Sequence, residues 1–230
     1  MPNHLLYLPA GEADYMAEDA VPILGNLPQE ELDEWIPRLI RAKRPFALDS
    51  AELIPPESLV RLSETAARRK LAIAILHSYR LLPVFARLKE LIASNCLGTP
   101  RTTQLTIPST ASPILCTDLA EWLCPSHADL TFTVADDSCI TLQISADNGY
   151  ASARFNVMSH ISDFTTNICG TTRVIAVPYA DPFRAEMDIL VNTLPYRSKW
   201  PLLMHVDDAA TAIERLSRFP QVTQKIARFT

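Results

Sequence analysis

The chain has 230 residues, enough for one large or two small domains with ample core. It is 48% hydrophobic and 20% charged, an ordinary globular balance without low-complexity tracts or internal repeats. A formal charge of −5 excludes the basic field that a nucleic-acid or anionic-membrane surface requires, and the longest cationic cluster, Arg68-Arg69-Lys70, reads as a solvated helix end.

In chain order, His4 to Leu8 is a short strand ended by Pro9-Ala10-Gly11. Gly11 to Pro28 reads as irregular, with Pro22, Gly25 and Pro28 as breakers. Glu30 to Lys43 is helical in pattern, with Leu32, Trp35, Ile36, Leu39 and Ile40 on one face and Pro37 as a distortion. Arg44 to Leu48 is a second strand, and Pro55 to Arg69 a helix with Leu59, Leu62 and Ala66 inward. Leu71 to Leu76 is a continuous apolar run, as in a strand covered on both faces. Pro83 breaks the chain, and Val84, Leu88, Leu91 and Ile92 then fall at helical spacing. Asn95 sits where that helix ends, in a position that takes the left-handed conformation. Strand, helix, strand, helix, strand predicts a parallel sheet with crossover helices, one of whose edges something must cover.

Beyond Gly98 the pattern turns to β. Arg101 to Ile107 alternates, Ile114 to Leu123 is a short helix, and five more strands follow: 129–134, 139–145, 151–158, 163–168 and 172–177. Asp136-Asp137 and Asp147-Asn148-Gly149 read as hairpin turns. Arg184 to Leu194 is a helix with Met187, Leu190, Val191 and Leu194 on one side, Asp207 to Phe219 is another, and residues 220–230 form a tail.

No apolar run approaches the ~20 residues of a membrane span, and the first twenty residues lack a basic signal-peptide region. The five cysteines form no C-x-x-C pair and are odd in number, the usage of a reduced, cytoplasmic protein. His4, His77, His127, His160 and His205 show no metal spacing. The five glycines, at 11, 25, 98, 149 and 170, lie too far apart for any G-x-G-x-x-G or G-x-x-x-x-G-K loop. A turn bringing backbone amides against a pyrophosphate therefore has no place to form.

The buried strand, Tyr79-Arg80-x-x-Pro83, the Leu-Lys-Glu-Leu-Ile helix and Ser94-Asn95-Cys96-Leu97-Gly98 resemble the domain junction of the Gfo/Idh/MocA oxidoreductases. The likeness extends over roughly residues 30 to 219. It implies an α/β fold: a truncated Rossmann-like parallel sheet in residues 1–79, lacking the half with the glycine fingerprint, then an α+β domain in 80–230. The second domain would carry a roughly six-stranded, mostly antiparallel open sheet. The family's chemistry uses a lysine in an E-K-P motif and an Asp/His pair in D-x-x-x-H. Aligned here, the lysine becomes Arg44, with Lys43 one residue off, and the acid and base become Ala111 and Leu115. Arginine stays charged and moves no proton near neutrality, and neither alanine nor leucine can.

Two readings follow. In the first the chain is a non-catalytic relative, a protein-interaction or ligand-binding module without cofactor. It would form a homodimer through the C-terminal sheet and offer the truncated sheet edge to a protein partner. In the second it is an oxidoreductase-like enzyme or small-anion or sugar binder reusing the cleft, lined by Arg44, His77, Tyr79 and Arg80, with NAD or NADP as its least favoured ligand. A separate polypeptide supplying the missing half is a third arrangement.

Overall fold

The computed structural model describes residues 5–7, 21–25, 27–124, 129–177, 181–193, 200 and 202–219. The chain divides into two compact units: Met1–Ser78 with Pro182–Ile213, and Tyr79–Asp181 with Glu214–Thr230. Pro182–Ile213 thus returns to the first unit after the second has begun at Tyr79.

The first unit opens with β1 (Leu5–Tyr7), β2 (Val21–Leu24), α1 (Gln29–Arg41), β3 (Phe46–Leu48), α2 (Pro56–Arg69) and β4 (Ile73–Ile75). The described side chains of β2, β3 and β4 are buried, as expected for parallel strands covered on both faces. Strand β2 corrects the irregular reading of 11–28. Its Pro22 pairs with β1, and the ladder to β3 begins only at Ile23, beyond the proline. Helix α1 buries Leu32, Trp35 and Leu39. Its Pro37 lies on the solvent side, where water can serve the carbonyl that the ring leaves unbonded. Helix α2 begins on Pro56 at its first turn and ends at Lys70 in the left-handed conformation, φ 52°.

In the second unit a 3-10 turn at Tyr79–Leu81 leads into α3 (Pro83–Ala93), which starts on a proline and buries Val84, Phe85 and Leu88. Asn95 has φ 58°, the conformation its position predicts. The remaining elements are β5 (Pro100–Pro108), α4 (Pro113–Leu123), β6 (Asp129–Ala135), β7 (Cys139–Ala146), β8 (Gly149–Asn156), β9 (Ser162–Ile168) and β10 (Thr171–Val177). The six-stranded sheet runs β10-β9-β8-β7-β5-β6. It is antiparallel except for the β5–β6 pair. Helix α4 is the crossover of that parallel pair. Asp136-Asp137 therefore does not close a hairpin: β6 and β7 flank β5 on opposite sides. The β7–β8 hairpin does turn at Asp147-Asn148, with Ala146 opposite Gly149. Thr103, Leu105, Ile140, Leu142, Ile144, Ala151, Ala153 and Phe164 face inward and are buried.

The chain then returns to the first unit with α5 (Pro182–Thr193), β11 (Met204–His205) and α6 (Val206–Leu216) as far as Ile213. Strand β11 pairs antiparallel with β4, completing a five-stranded sheet in the order β1-β2-β3-β4-β11. Strand β11 therefore covers the side of β4 away from β3. No helix among the described residues is long and apolar enough to cross a membrane, and all five cysteines are free thiols. The 220–230 tail lies outside the described residues.

Candidate functional site at the carboxyl edge of the parallel sheet

Open α/β sheets bind ligands outside the carboxyl ends of their strands. Here that edge follows Leu48 on β3 and Leu76 just past β4. The backbone still pairs at that level, with Leu76 N–H donating to Leu48 O at 2.9 Å and Asp49 N–H to Leu24 O at 2.9 Å. Immediately beyond, His77 takes φ 60°. A non-glycine residue in that region is uncommon and needs surrounding contacts to hold it. Glu186 of α5 supplies them. Its Oε2 accepts the His77 N–H at 2.7 Å and its Oε1 the Ser78 N–H at 2.9 Å. The Glu186 residue is fully buried, 0% exposed. Two successive backbone amides converging on one anion make a small nest, whose resident anion here belongs to the protein.

The His77 ring lies flat on Phe183, with centroids 4.8 Å apart and planes 11° apart. Its Nε2 stands 3.2 Å from Asp49 Oδ1. These two side chains remain open to solvent, 46% for His77 and 25% for Asp49. The edge thus presents an imidazole whose orientation is set by an aromatic face and a carboxylate. Such a pair can exchange a proton or hydrogen-bond a hydroxyl.

Arg44 does not join this group. It precedes β3, its N–H bonding Leu39 O at 3.0 Å, so it lies at the amino end of the strand whose carboxyl end carries Asp49. Lys43-Arg44-Pro45 thus precedes the apolar strand Phe46–Leu48.

Tyr79 and Arg80 belong to the second unit. Tyr79 is half-buried against that unit's apolar core. Arg80 is buried and bidentate to Asp118 of α4: its Nε donates to Oδ2 at 2.8 Å and its Nη2 to Oδ1. A bidentate guanidinium–carboxylate pair is the strongest form of such contact. The same guanidinium stands 6.0 Å from the Trp122 ring centroid, and Lys89 Nζ 5.1 Å from it. Lys89 also donates to the Trp122 carbonyl. Burial pushes the Lys89 ammonium below its ordinary range, an effect that Cys124 opposes and Arg80 reinforces. Ala111 and Leu115 are buried, at 6% and 5% exposure. Leu115 lies in the first turn of α4, its N–H capped by Ser112 Oγ at 3.2 Å.

Asp49, Phe183 and Glu186 escaped the sequence reading. Asp49 directly follows an apolar strand, which is a usable signal. Glu186 stands four residues before buried Leu190, an acid on an otherwise apolar helix stripe. Among the described residues no cluster of three potential metal ligands exists.

The paired sheets define the fold of the Gfo/Idh/MocA-type oxidoreductases: a Rossmann-like parallel sheet and a six-stranded, mostly antiparallel one. Solved structures share it. Aldose-aldose oxidoreductase from Caulobacter crescentus, complexed with glycerol, matches with a TM-score of 0.69 at 12% identity, covering 92% of this chain and 78% of that one. KijD10, a 3-ketoreductase from Actinomadura kijaniata complexed with NADP and TDP-benzene, matches with a TM-score of 0.63 at 10% identity, covering 86% and 76%. UDP-N-acetylglucosamine 3-dehydrogenase GnnA from Acidithiobacillus ferrooxidans matches with a TM-score of 0.61 at 12% identity, covering 85% and 76%. At such identities the likeness is one of fold. No protein-family model and no curated protein matches the sequence.

Proposed function

We propose that this chain is a binding module on an oxidoreductase scaffold and does not transfer hydride. The observation that carries the reading is the chemistry at the carboxyl edge. A half-buried acid, Asp49, stands at the carboxyl end of β3, and the position aligned with the lysine is Arg44, which moves no proton near neutrality. The positions aligned with the proton-carrying pair are the buried apolar residues Ala111 and Leu115.

The residues present do not fit a nicotinamide dinucleotide. Its pyrophosphate needs free backbone amides at a glycine turn, and the glycine spacing provides none. The His77 and Ser78 amides at the edge are held by Glu186. Asp49 adds a negative charge there, which disfavours a second anion. The five free thiols suit a cytoplasmic setting. Titration calorimetry of the full chain with NADH and NADPH tests the reading. No binding heat is expected at millimolar cofactor. Saturable one-to-one binding, or oxidation of NAD(P)H by pure protein with any aldose or ketone, overturns it.

The Asp49–His77 pair favours one ligand class within this reading. A carboxylate and an imidazole beside a flat aromatic ring suit a neutral polyhydroxylated ligand better than an anion. Arg80, the cation expected to hold an anion, is engaged by Asp118. Sugars and polyols are therefore preferred over acidic metabolites in a thermal-shift screen, with Asp49→Ala abolishing the response.

A further inference from the structure

Position 77 lies just past β4 in a bend at φ 60°, which glycine or asparagine adopts with least strain. Histidine stands there instead, and the fold fixes it from three sides. Glu186 holds its backbone N–H, Phe183 covers one face of its ring, and Asp49 meets Nε2 at 3.2 Å. All four residues belong to the first unit. An ionised carboxylate only accepts hydrogen bonds, so Nε2 carries the imidazole proton and Nδ1 the lone pair. That lone pair lies in the ring plane, which stacking on Phe183 leaves uncovered. No group among the described residues bonds Nδ1, and the side chain is 46% exposed. A carboxylate that sets the tautomer, and steadies the imidazolium once it forms, makes the opposite nitrogen a general base.

We propose that this edge interconverts the two anomers of an aldose, with His77 carrying the proton and Asp49 positioning the ring. The proposal rests on the reading of this edge as a site for neutral polyhydroxylated ligands, and narrows it to sugars with a free anomeric hydroxyl. His77 Nδ1 takes the proton of that hydroxyl. The O–H electron pair becomes the second bond of a carbonyl at the anomeric carbon. The bond from that carbon to the ring oxygen breaks, its electron pair leaves with the oxygen, and the imidazolium returns the proton there. The open-chain aldehyde turns its other carbonyl face to the chain hydroxyl, and the same steps in reverse close the ring as the other anomer. Both oxygens are bonded to one carbon, so a single imidazole serves both. No proton is gained or lost overall, and nothing is oxidised or reduced. The reaction needs neither a dinucleotide nor the lysine and Asp/His pair whose aligned positions hold Arg44, Ala111 and Leu115. Asp49 and Glu186 put two carboxylates at this edge, which favours an uncharged sugar over a sugar phosphate.

Polarimetry of freshly dissolved α-D-glucose, α-D-galactose and α-D-xylose with the full chain tests this. With at least one of them, a rate above buffer that saturates in sugar is expected, and free imidazole at the protein's concentration should not reproduce it. His77→Asn suits the left-handed bend and should lose about a hundredfold or more of kcat/KM, with circular dichroism unchanged and partial rescue by added imidazole. Asp49→Asn keeps a polar neighbour but not the tautomer, so kcat should fall by about tenfold or more while KM holds. Asp49→Glu should recover part of kcat, a split that a mere loss of folded protein would not produce. Thermal shift with D-glucitol, which has no anomeric carbon, separates this inference from the reading beneath it. Shifts with glucitol and the sugars but no rate above buffer overturn the inference alone. No shift and no acceleration with any of the four overturn both. Acceleration that survives His77→Asn overturns the assignment of the base.

Discussion

Glu186→Ala removes a buried carboxylate and leaves the His77 and Ser78 amides without the acceptor seen at 2.7 and 2.9 Å. Hydrogen bonds to charged groups contribute about 1.5–3 kcal/mol each, and a stranded buried donor costs about 1–3 kcal/mol. Two donors sharing one acceptor therefore set an expected loss of about 3–5 kcal/mol in the first unit. Glu186→Gln keeps one acceptor oxygen but turns an amide NH₂ toward the other donor, so about half that loss follows. Urea unfolding followed by fluorescence in a Trp122→Phe background reads the first unit alone, since Trp35 and Trp200 both belong to it. Amide hydrogen exchange supplies the local check: His77 and Ser78 should lose protection in the alanine variant while Ala74 keeps it. A loss below about 1 kcal/mol, or unchanged exchange at those two amides, refutes the reasoning.

Four further outcomes are expected. Arg80→Ala and Asp118→Ala should each cost about 3–5 kcal/mol by leaving a buried charge unpaired, whereas the double variant Arg80→Met, Asp118→Leu recovers most of it; a double-mutant cycle under urea measures the coupling. Gly149→Ala would bring a Cβ to 1.8 Å from the Asn167 carbonyl oxygen at φ +153°, so about 2–3 kcal/mol of overpacking strain is expected. Gly170→Ala, with φ +83° and nothing within 4 Å, should cost only about 1–2 kcal/mol for its left-handed backbone. Arg101 holds the Asp147 carboxyl below its usual range, chiefly through the hydrogen bond between them at 2.7 Å. A depressed carboxylate pKa contributes stability above its unfolded value and loses it as pH falls through the folded one. Arg101→Gln should therefore lower Tm slightly at neutral pH, and the difference should vanish in acid.

Periodicity made the helices readable, because each has an apolar stripe that only a 3.6-residue repeat explains. Leu59, Leu62 and Ala66 of α2 are buried as their spacing requires. Strand β2 was hidden, since its four residues include a proline and sit among breakers; only the neighbouring strands show that Pro22 lies outside the β3 ladder. The β5–β6 pairing was equally invisible. A local turn signal at Asp136-Asp137 cannot report that α4 has carried the chain to the far side of β5. The site was half legible: His77 stood out as a polar residue ending an apolar run. Asp49 carries no signal beyond its place directly after an apolar strand, since its partner His77 lies on a different strand end. Glu186 was missed because its acceptor role depends on amides more than a hundred positions away.

The first unit is assembled from two stretches of chain, one ending at Ser78 and the other beginning at Pro182. During synthesis its leading stretch leaves the ribosome long before the acid and the edge strand that complete it. Until then the bend after β4 has no internal counter-ion, and β4 has no neighbour on its outer side. The intervening stretch, Tyr79–Asp181, contains all six strands of its own sheet, yet its unit also takes in Glu214–Thr230. Each unit is thus completed only by chain synthesised after Asp181.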